Sequence, residues 1–418
     1  MNAPPPTLVI VGAGHAGAEA AIAARQAGYA GSIVLIGDEA VLPYHRPPLS
    51  KAFLHGAATA ESLLLKPQAA YDKAEVQLRL GVCAVRIDRA GKQVELSDGS
   101  TQAYTQLILA TGSRARTLTA PGLADGARPP NLFTLRIVDD VEAMRSHFVA
   151  GKRLAVIGGG YIGLEVASVA RKCGLEVTVV EAAGRVLARV TAPEVSAFYA
   201  QLHREHGVDI RTGVQIAKVG LDAGGAVTHI ETSNGERIEA DLVIAGIGVL
   251  PNQELAAEAG LVVDNGIATD EFLRTSDPDI YAIGDCSSHP SQVYGRRIRL
   301  ESVPNALEQS RIVASNVCGI PKAYHSIPWF WSDQYELKLQ MVGLAQGYDE
   351  VVVRGDPEAR SFVVFYLREQ ALIAADCVNR PLDFVPLKKL VASRAMVAPD
   401  RLVDGAIALK EIAAAVPA

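Results

Sequence analysis

Gly12, Gly14 and Gly17 stand in one Gly-x-Gly-x-x-Gly run, and Gly158, Gly160 and Gly163 repeat it 146 positions later in a chain of 418 residues. Each glycine has its own task when a dinucleotide is held. The first permits a tight turn, the second lets the backbone approach a pyrophosphate, and the third packs helix on strand. The helix that follows turns its unpaired N-terminal amides toward the phosphates. A carboxylate lies beyond each run, Asp38 at 21 positions past Gly17 and Glu181 at 18 past Gly163, where it can accept the hydroxyls of an adenosine ribose. Taken singly, either run is as well a tight strand-helix turn, and Asp38 a solvated loop carboxylate. Two runs, each with its acid, imply two dinucleotides. At the second, Glu181 would repel a 2'-phosphate added to that ribose, which favours a dinucleotide without one. Arg185 and Arg189 are the nearby cations that could instead greet a phosphate, contact the pyrophosphate or face solvent.

Runs of this kind need a strand before them and a helix after. Leu8-Val9-Ile10-Val11 and Leu154-Ala155-Val156-Ile157 supply apolar strands, and alanine-rich helical stretches follow as far as Gly28 and Gly174. The first half closes with Leu107-Ile108-Leu109-Ala110-Thr111-Gly112, and after a Gly/Pro-rich linker at 121–130 the second closes with Leu242-Val243-Ile244-Ala245-Gly246. This is a repeat at the scale of domains, and alternating strands and helices make both halves parallel α/β layers. From about Pro321 the alternation gives way to strand-like runs at 340–345, 350–353, 361–367 and 371–377 and then a helical tail, a third, α+β module.

Composition excludes several classes. A net charge of −6 and an acidic pI of about 5.9 argue against nucleic acid as a partner, since neutralising phosphates takes a basic face. No apolar run reaches the roughly 18 residues of a membrane span, and the start, Met1 to Pro6, lacks a basic targeting region, so a cytoplasmic protein is expected. Five cysteines (Cys83, Cys173, Cys286, Cys318 and Cys377) form no CxxC pair. That disfavours a disulfide framework, a dithiol redox centre or a zinc site, and no metal is expected.

The two glycine runs, Ala110-Thr111-Gly112 and Ile280-Tyr281-Ala282-Ile283-Gly284-Asp285 together resemble the pyridine nucleotide-disulfide oxidoreductase superfamily. Within it, Arg46-Pro47-Pro48-Leu49-Ser50-Lys51, Glu301-Ser302-Val303-Pro304-Asn305-Ala306 and Trp329-Phe330-Trp331-Ser332-Asp333-Gln334 resemble the FAD-dependent ferredoxin reductases of bacterial oxygenase systems. The segment Arg189 to Tyr199 resembles the putidaredoxin reductase-like members of that group. The resemblance implies two Rossmann-like dinucleotide-binding domains of the glutathione reductase type and a C-terminal α+β domain. A discontinuous FAD-binding domain would take 1–115 and 249–322, an NAD-binding domain 116–248, and the C-terminal domain 323–418.

Carried over residue by residue, the resemblance puts FAD on Gly12, Gly14, Ala16, Gly17, Asp38, Lys51, Ala84, Arg136, Asp285 and Val303. It puts NADH on Gly158, Gly160, Tyr161, Ile162, Gly163, Glu165, Glu181 and Arg189. Asp285 would bond the ribityl or phosphate region at a helix N-terminus, although an Asp there is also a plain helix cap. Lys51 and Glu165 resemble the family's charge pair beside the flavin, the ammonium stabilising the charge of the reduced ring and the carboxylate holding the ammonium. From the residues alone, two charges 114 positions apart are as well unrelated surface groups. Trp331 is the implied gate or stacking residue; blandly read, Trp329 and Trp331 are core aromatics.

The loop Pro43 to Lys51 contains no cysteine, so electrons from the flavin would pass directly to an external acceptor rather than through a thiol. The family's acceptor is a [2Fe-2S] ferredoxin serving a cytochrome P450. Basic residues lie at Arg296, Arg297, Arg299 and Arg311, and the tail from Arg380 to Glu411 carries six basic against four acidic residues. An acidic partner docking near Arg311 and Lys410 is expected, by electrostatic steering to a small interface. Two alternatives share these motifs: a reductase for a rubredoxin or a ring-hydroxylating dioxygenase ferredoxin, and a flavoprotein of the apoptosis-inducing-factor type.

Overall fold

Leu8, Val9 and Ile10 are fully inaccessible in the computed structural model, which describes residues 6–416. A strand covered on both faces has this continuous apolar character. Met1–Pro5, part of the start read above for targeting, lies outside the described residues. The chain folds as two compact units. The first is Met1–His45, Glu61–Arg114 and Leu250–Pro328, and the second is Arg46–Ala60, Ala115–Val249 and Trp329–Ala418.

In the first unit five parallel strands run in the order Val76–Leu80, Ser32–Gly37, Thr7–Val11, Gln106–Leu109, Ile280–Ala282. Val11 pairs with both Ile36 and Leu109. The strand order therefore reverses beside Thr7–Val11, and its carboxyl end opens at the switch point where this topology holds ligands. The helix His15–Gln26 leaves that end. Its alanines let it pack closely against the helix Val303–Val317, whose Ser310 hydroxyl donates to the Ala16 carbonyl at 2.8 Å. Gly28, at φ +97°, ends the first helix in a conformation that glycine adopts without a Cβ penalty.

The second unit repeats the plan with Val208–Thr212, Glu176–Glu181, Arg153–Ile157, Leu242–Ala245 and Leu132–Phe133, again parallel, and the helix Tyr161–Lys172 leaves the end of Arg153–Ile157. The same unit contains a five-stranded antiparallel sheet, in the order Trp329–Gln334, Leu337–Gly343, Ala371–Val378, Ser361–Arg368, Glu350–Asp356, followed by the helices Pro381–Ala392, Pro399–Val403 and Leu409–Ala414. Two points differ from the sequence reading of this module. Trp329–Gln334 is a strand where none is expected, and the next strand begins at Leu337 rather than 340. The segment Arg46–Ala60 also groups with the second unit, whereas the reading places it among the FAD-binding segments. No helix among the described residues is long and apolar enough to cross a membrane.

A buried polar contact joins the antiparallel sheet to the start of a helix that flanks the parallel one. The Tyr366 hydroxyl donates to Asp376 at 2.6 Å and accepts the backbone N–H of Ala192 at 2.9 Å, where the helix Pro193–Glu205 begins. That helix follows the loop after Glu181, so the contact anchors the far end of the loop. Burial pushes the Asp376 carboxyl up to about 7. Between roughly pH 4, where it titrates unfolded, and pH 7 the folded chain keeps a proton that the unfolded chain releases. The stability this contributes is complete below about pH 4 and is lost as pH rises through 7. Asp376→Asn keeps an acceptor for Tyr366 and removes the titration. We therefore predict a melting temperature about 2–4 °C above wild type at pH 8.5 and no gain at pH 4. An equal separation at both pH values, read by thermal melts, would assign the slope to another group.

Candidate active site

Both glycine runs have the geometry their spacing implies. Gly12 has φ +110°, and a Cβ there would lie 2.1 Å from the Ala110 carbonyl oxygen, while one on Gly17 would lie 1.9 Å from that of Gly12. In the second run Gly158 has φ +105° with the Gly246 oxygen at 2.5 Å, and Gly163 meets the Gly158 oxygen at 2.1 Å. The first and third glycines are thus fixed by backbone against backbone. The middle ones differ: a Cβ on Gly14 or Gly160 would meet nothing within 4 Å. Neither helix has a side-chain hydrogen bond capping its start or an acid in its first turn. Open space above uncapped amides suits a pyrophosphate at each site.

Around the first run, Ala16 is buried at the helix start and Asp38 is exposed at the end of its strand, its Oδ1 accepting the Glu39 N–H at 3.1 Å. Ala84 is half-buried at the start of Ala84–Asp88. Asp285 accepts from the Ser113 hydroxyl at 2.8 Å. It sits in a three-residue 3-10 turn, Gly284–Cys286, not at the start of an α-helix as the sequence reading has it. The long helix begins at Val303, with the Ser302 hydroxyl accepting the Asn305 N–H. Gly284 takes a left-handed φ of +76° and breaks the run between strand and helix, which is the physical reason for the difference. His15, in the first turn after Gly14, is buried with its Nε2 3.4 Å from His45 Nδ1, a pair the sequence reading misses.

Around the second run, Glu181 is tied to the glycine loop itself. One carboxylate oxygen accepts the Gly159 N–H at 2.6 Å and the other the Ala183 N–H at 2.7 Å. Each oxygen keeps a lone pair for a further donor. Ile162 is 40% exposed in the helix's first turn, and Tyr161 beside it donates to Met341 Sδ at 2.6 Å. Arg189 is exposed. Arg185 turns back onto the Ala188 carbonyl, and its Nη1 is buried without a hydrogen-bond partner. An orphaned guanidinium nitrogen beside the loop is a fit for an anionic ligand.

Lys51 and Glu165 meet. Lys51 Nζ donates to Glu165 Oε2 at 2.6 Å, with the carboxylate side chain 2% and the lysine 21% exposed. The Ser50 hydroxyl donates to the same oxygen at 2.5 Å, and the Ser332 hydroxyl donates to Oε1 at 2.6 Å. Sequence reasoning misses both serines, although each lies inside a string quoted for the family resemblance. In the same unit Arg46 donates to the Arg136 carbonyl at 2.8 Å, and the Arg136 N–H donates to Asp140 at 2.7 Å. Trp331 is half-buried on its strand, 5.8 Å between ring centroids from Trp329, so neither tryptophan is a core residue.

The expected basic surface is smaller than the sequence suggests. Arg297 is spent on the backbone carbonyls of Thr269 and Ser288. Arg299 bonds Glu301 and the Asp285 carbonyl, and Arg380 bonds Asp383. Lys388 lies 4.0 Å over the Trp329 ring. Arg311 and Lys410 are exposed.

Residues 6–310 match the family model for pyridine nucleotide-disulphide oxidoreductases, and residues 329–413 match a reductase C-terminal domain. The chain belongs to the pyridine nucleotide-disulphide oxidoreductases. Putidaredoxin reductase CamA of Pseudomonas putida is 50% identical over 412 residues, 98% of this chain and 97% of that protein. Rhodocoxin reductase of Rhodococcus erythropolis is 44% identical over 97% of this chain and 93% of its own length. A crystal structure of a covalent putidaredoxin reductase–putidaredoxin complex matches with a TM-score of 0.95 over 99% of both chains. As a member of this family the chain is an oxidoreductase whose cofactors are FAD and NAD(H). The two uncapped glycine loops fit two such groups.

The geometry at Glu181 makes nucleotide choice testable. Glu181→Ala with Ala182→Arg, the latter an exposed position, removes a repelling charge and adds one that rewards a 2'-phosphate. We predict that the ratio of kcat/KM for NADH to that for NADPH falls by about tenfold or more. Both values should also fall in absolute terms, because Gly159 loses its acceptor. A wild type that already favours NADPH would overturn the ribose assignment.

Proposed function

We propose that this protein passes electrons from NADH through FAD to a [2Fe-2S] ferredoxin that serves a cytochrome P450. One observation carries the reading: the likeness to putidaredoxin reductase runs through nearly the whole chain, C-terminal domain included. FAD, when bound, supplies the chemistry of taking two electrons from NADH and giving them up singly.

In this reading the amides around Gly12, Gly14, Ala16 and Gly17 hold the pyrophosphate of FAD, with Asp38 on its ribose and Ala84, Arg136, Asp285 and Val303 along the rest of the cofactor. The loop of Gly158, Gly160, Tyr161, Ile162 and Gly163 holds NADH, with Glu181 on the ribose and Arg189 near the phosphates. Lys51 supplies a cation that offsets the negative charge of the reduced ring, and Glu165 fixes that cation in place. Trp331 is the aromatic neighbour of the flavin. Arg311 and Lys410, both exposed, steer an acidic ferredoxin. We place the enzyme in the cytoplasm, because five free thiols suit a reducing compartment.

Lys51→Met should leave FAD bound and slow flavin reduction by NADH about tenfold or more, read as bleaching of flavin absorbance in a stopped-flow instrument. Unchanged reduction would remove Lys51 from the site. Replacing Arg311 and Lys410 together by Glu tests the partner. Electron flow to a [2Fe-2S] ferredoxin should fall about tenfold or more, while reduction of ferricyanide by NADH stays within about twofold. The wild-type rate with ferredoxin should also drop as salt rises, since exposed charges are screened over about 8–10 Å near physiological ionic strength. A ferredoxin rate insensitive to salt and to charge reversal would move the docking face elsewhere. Turnover with rubredoxin and none with any [2Fe-2S] protein would replace the acceptor.

A further inference from the structure

The Glu165 carboxylate is the end of a chain of hydrogen bonds, not only half of an ion pair. Ser332 Oγ donates to Glu165 Oε1 at 2.6 Å and accepts from Gln334 Nε2 at 3.2 Å. With its amide nitrogen committed to Ser332, Gln334 presents Oε1 to His203 Nε2 at 2.9 Å, so that nitrogen carries the ring proton. His203 Nδ1 is then an acceptor, and the Tyr335 hydroxyl donates to it at 3.1 Å. Every donor in the sequence Tyr335, His203, Gln334, Ser332 thus points the same way, toward the glutamate.

Strand geometry makes this possible. Ser332 and Gln334 are two apart on Trp329–Gln334 and so share one face of it. That face packs on the helix Tyr161–Lys172, with the rings of Phe330 and Tyr161 tilted against each other, 5.1 Å between centroids. A second tie fixes the register between strand and helix: Ser168, one turn beyond Glu165, accepts the Tyr335 N–H at 2.8 Å. Ser332, Gln334 and His203 are all fully buried. Burial pushes the His203 imidazole down to about 4, so it serves as a neutral link near pH 7.

We propose that Ser332, Gln334 and His203 are positioning residues for Glu165 and, through it, for Lys51, so that the antiparallel C-terminal sheet sets the geometry of the reducing site. The proposal rests on the reading that Lys51 and Glu165 serve flavin reduction. A fixed donor on Oε1 orients the carboxylate plane, and with it Oε2 and the lysine bonded there. Misplacement of a charge by a fraction of an ångström is enough to lower a rate that depends on it.

The test is stopped-flow reduction of the FAD-loaded enzyme by NADH, with rate and half-saturation read separately. Ser332→Ala should lower the limiting rate about tenfold while the NADH concentration for half-maximal rate stays within about twofold, and Ser332→Thr should restore the rate. In a Glu165→Gln background Ser332→Ala should change the rate by less than about twofold, because the serine acts only through the glutamate. Should Ser332→Ala yield no holoprotein, Ser332→Cys, close in shape and a weaker donor, should give an intermediate rate. A slowing by Ser332→Ala that persists unchanged in the Glu165→Gln background, or no slowing at all where Glu165→Gln is slow, would overturn the array. Glu165→Gln reducing at the wild-type rate would instead overturn the parent reading of the ion pair.

Discussion

A carboxylate that is 2% exposed must find donors, and the second unit is organised around finding them for Glu165. An isolated buried charge is not tolerated, and removing one partner of a buried pair costs on the order of 3–5 kcal/mol. The three donors come from Ser50 and Lys51 on one side and Ser332 on another. Neither segment belongs to the helix Tyr161–Lys172 that carries the glutamate, or to the parallel sheet beside it. This constraint explains why Arg46–Ala60 and the C-terminal sheet fall in one compact unit with the second glycine loop, although long stretches of sequence separate them. A pair worth so much to break is weak evidence of net stability, since apolar residues could fill the same volume. Its presence is better explained by the role proposed for it, a cation fixed beside the flavin.

The parallel sheets were legible because their determinants are local. Leu8 to Val11 and Leu154 to Ile157 are unbroken apolar runs, and the third glycine of each loop is imposed by local backbone, Gly17 against Gly12 and Gly163 against Gly158, although the first meets a distant strand end at Ala110 or Gly246. Asp38 and Glu181 follow at the end of the next strand in each half, Ser32–Gly37 and Glu176–Glu181. A turn such as Gly284–Cys286 was less legible, because the apolar strand before it says where the chain enters but not whether a helix or a single 3-10 turn receives it. The strand Trp329–Gln334 was hidden because three consecutive half-buried aromatics are followed by Ser332 and Gln334, polar residues buried only because partners elsewhere satisfy them.

Apart from Lys51 and Glu165, which the family resemblance paired, what sequence could not give were contacts between residues 100 or more apart and the fate of individual charges. Ser50, Ser332, Gln334 and His203 are ordinary residue types, and only the fold brings them to one carboxylate. Charge counts misled for the opposite reason. Arg297 and Arg299 are cations in the sequence, yet both spend their donors on backbone carbonyls or a neighbouring acid. A guanidinium satisfied inside the fold contributes little to steering a partner, so a docking face has to be drawn from what remains exposed.

The hydrogen-bond array also shows why its links are neutral. A protonated imidazole at His203 would bury a second positive charge in the array that ends on the carboxylate holding Lys51, and in a low dielectric that charge would be felt there. Burial prevents this by pushing His203 down to about 4. A histidine depressed in this way costs stability only below its unfolded range near 6.5, and the cost is complete below about pH 4. Asp376 has the opposite sign, losing its contribution as pH rises through 7. The two buried groups therefore pull in opposite directions: near neutrality His203 is held neutral as its burial requires, whereas Asp376 is there already part-way through losing its contribution. The donors that close the array are Lys51 and the hydroxyls of Ser50 and Ser332, all on Glu165.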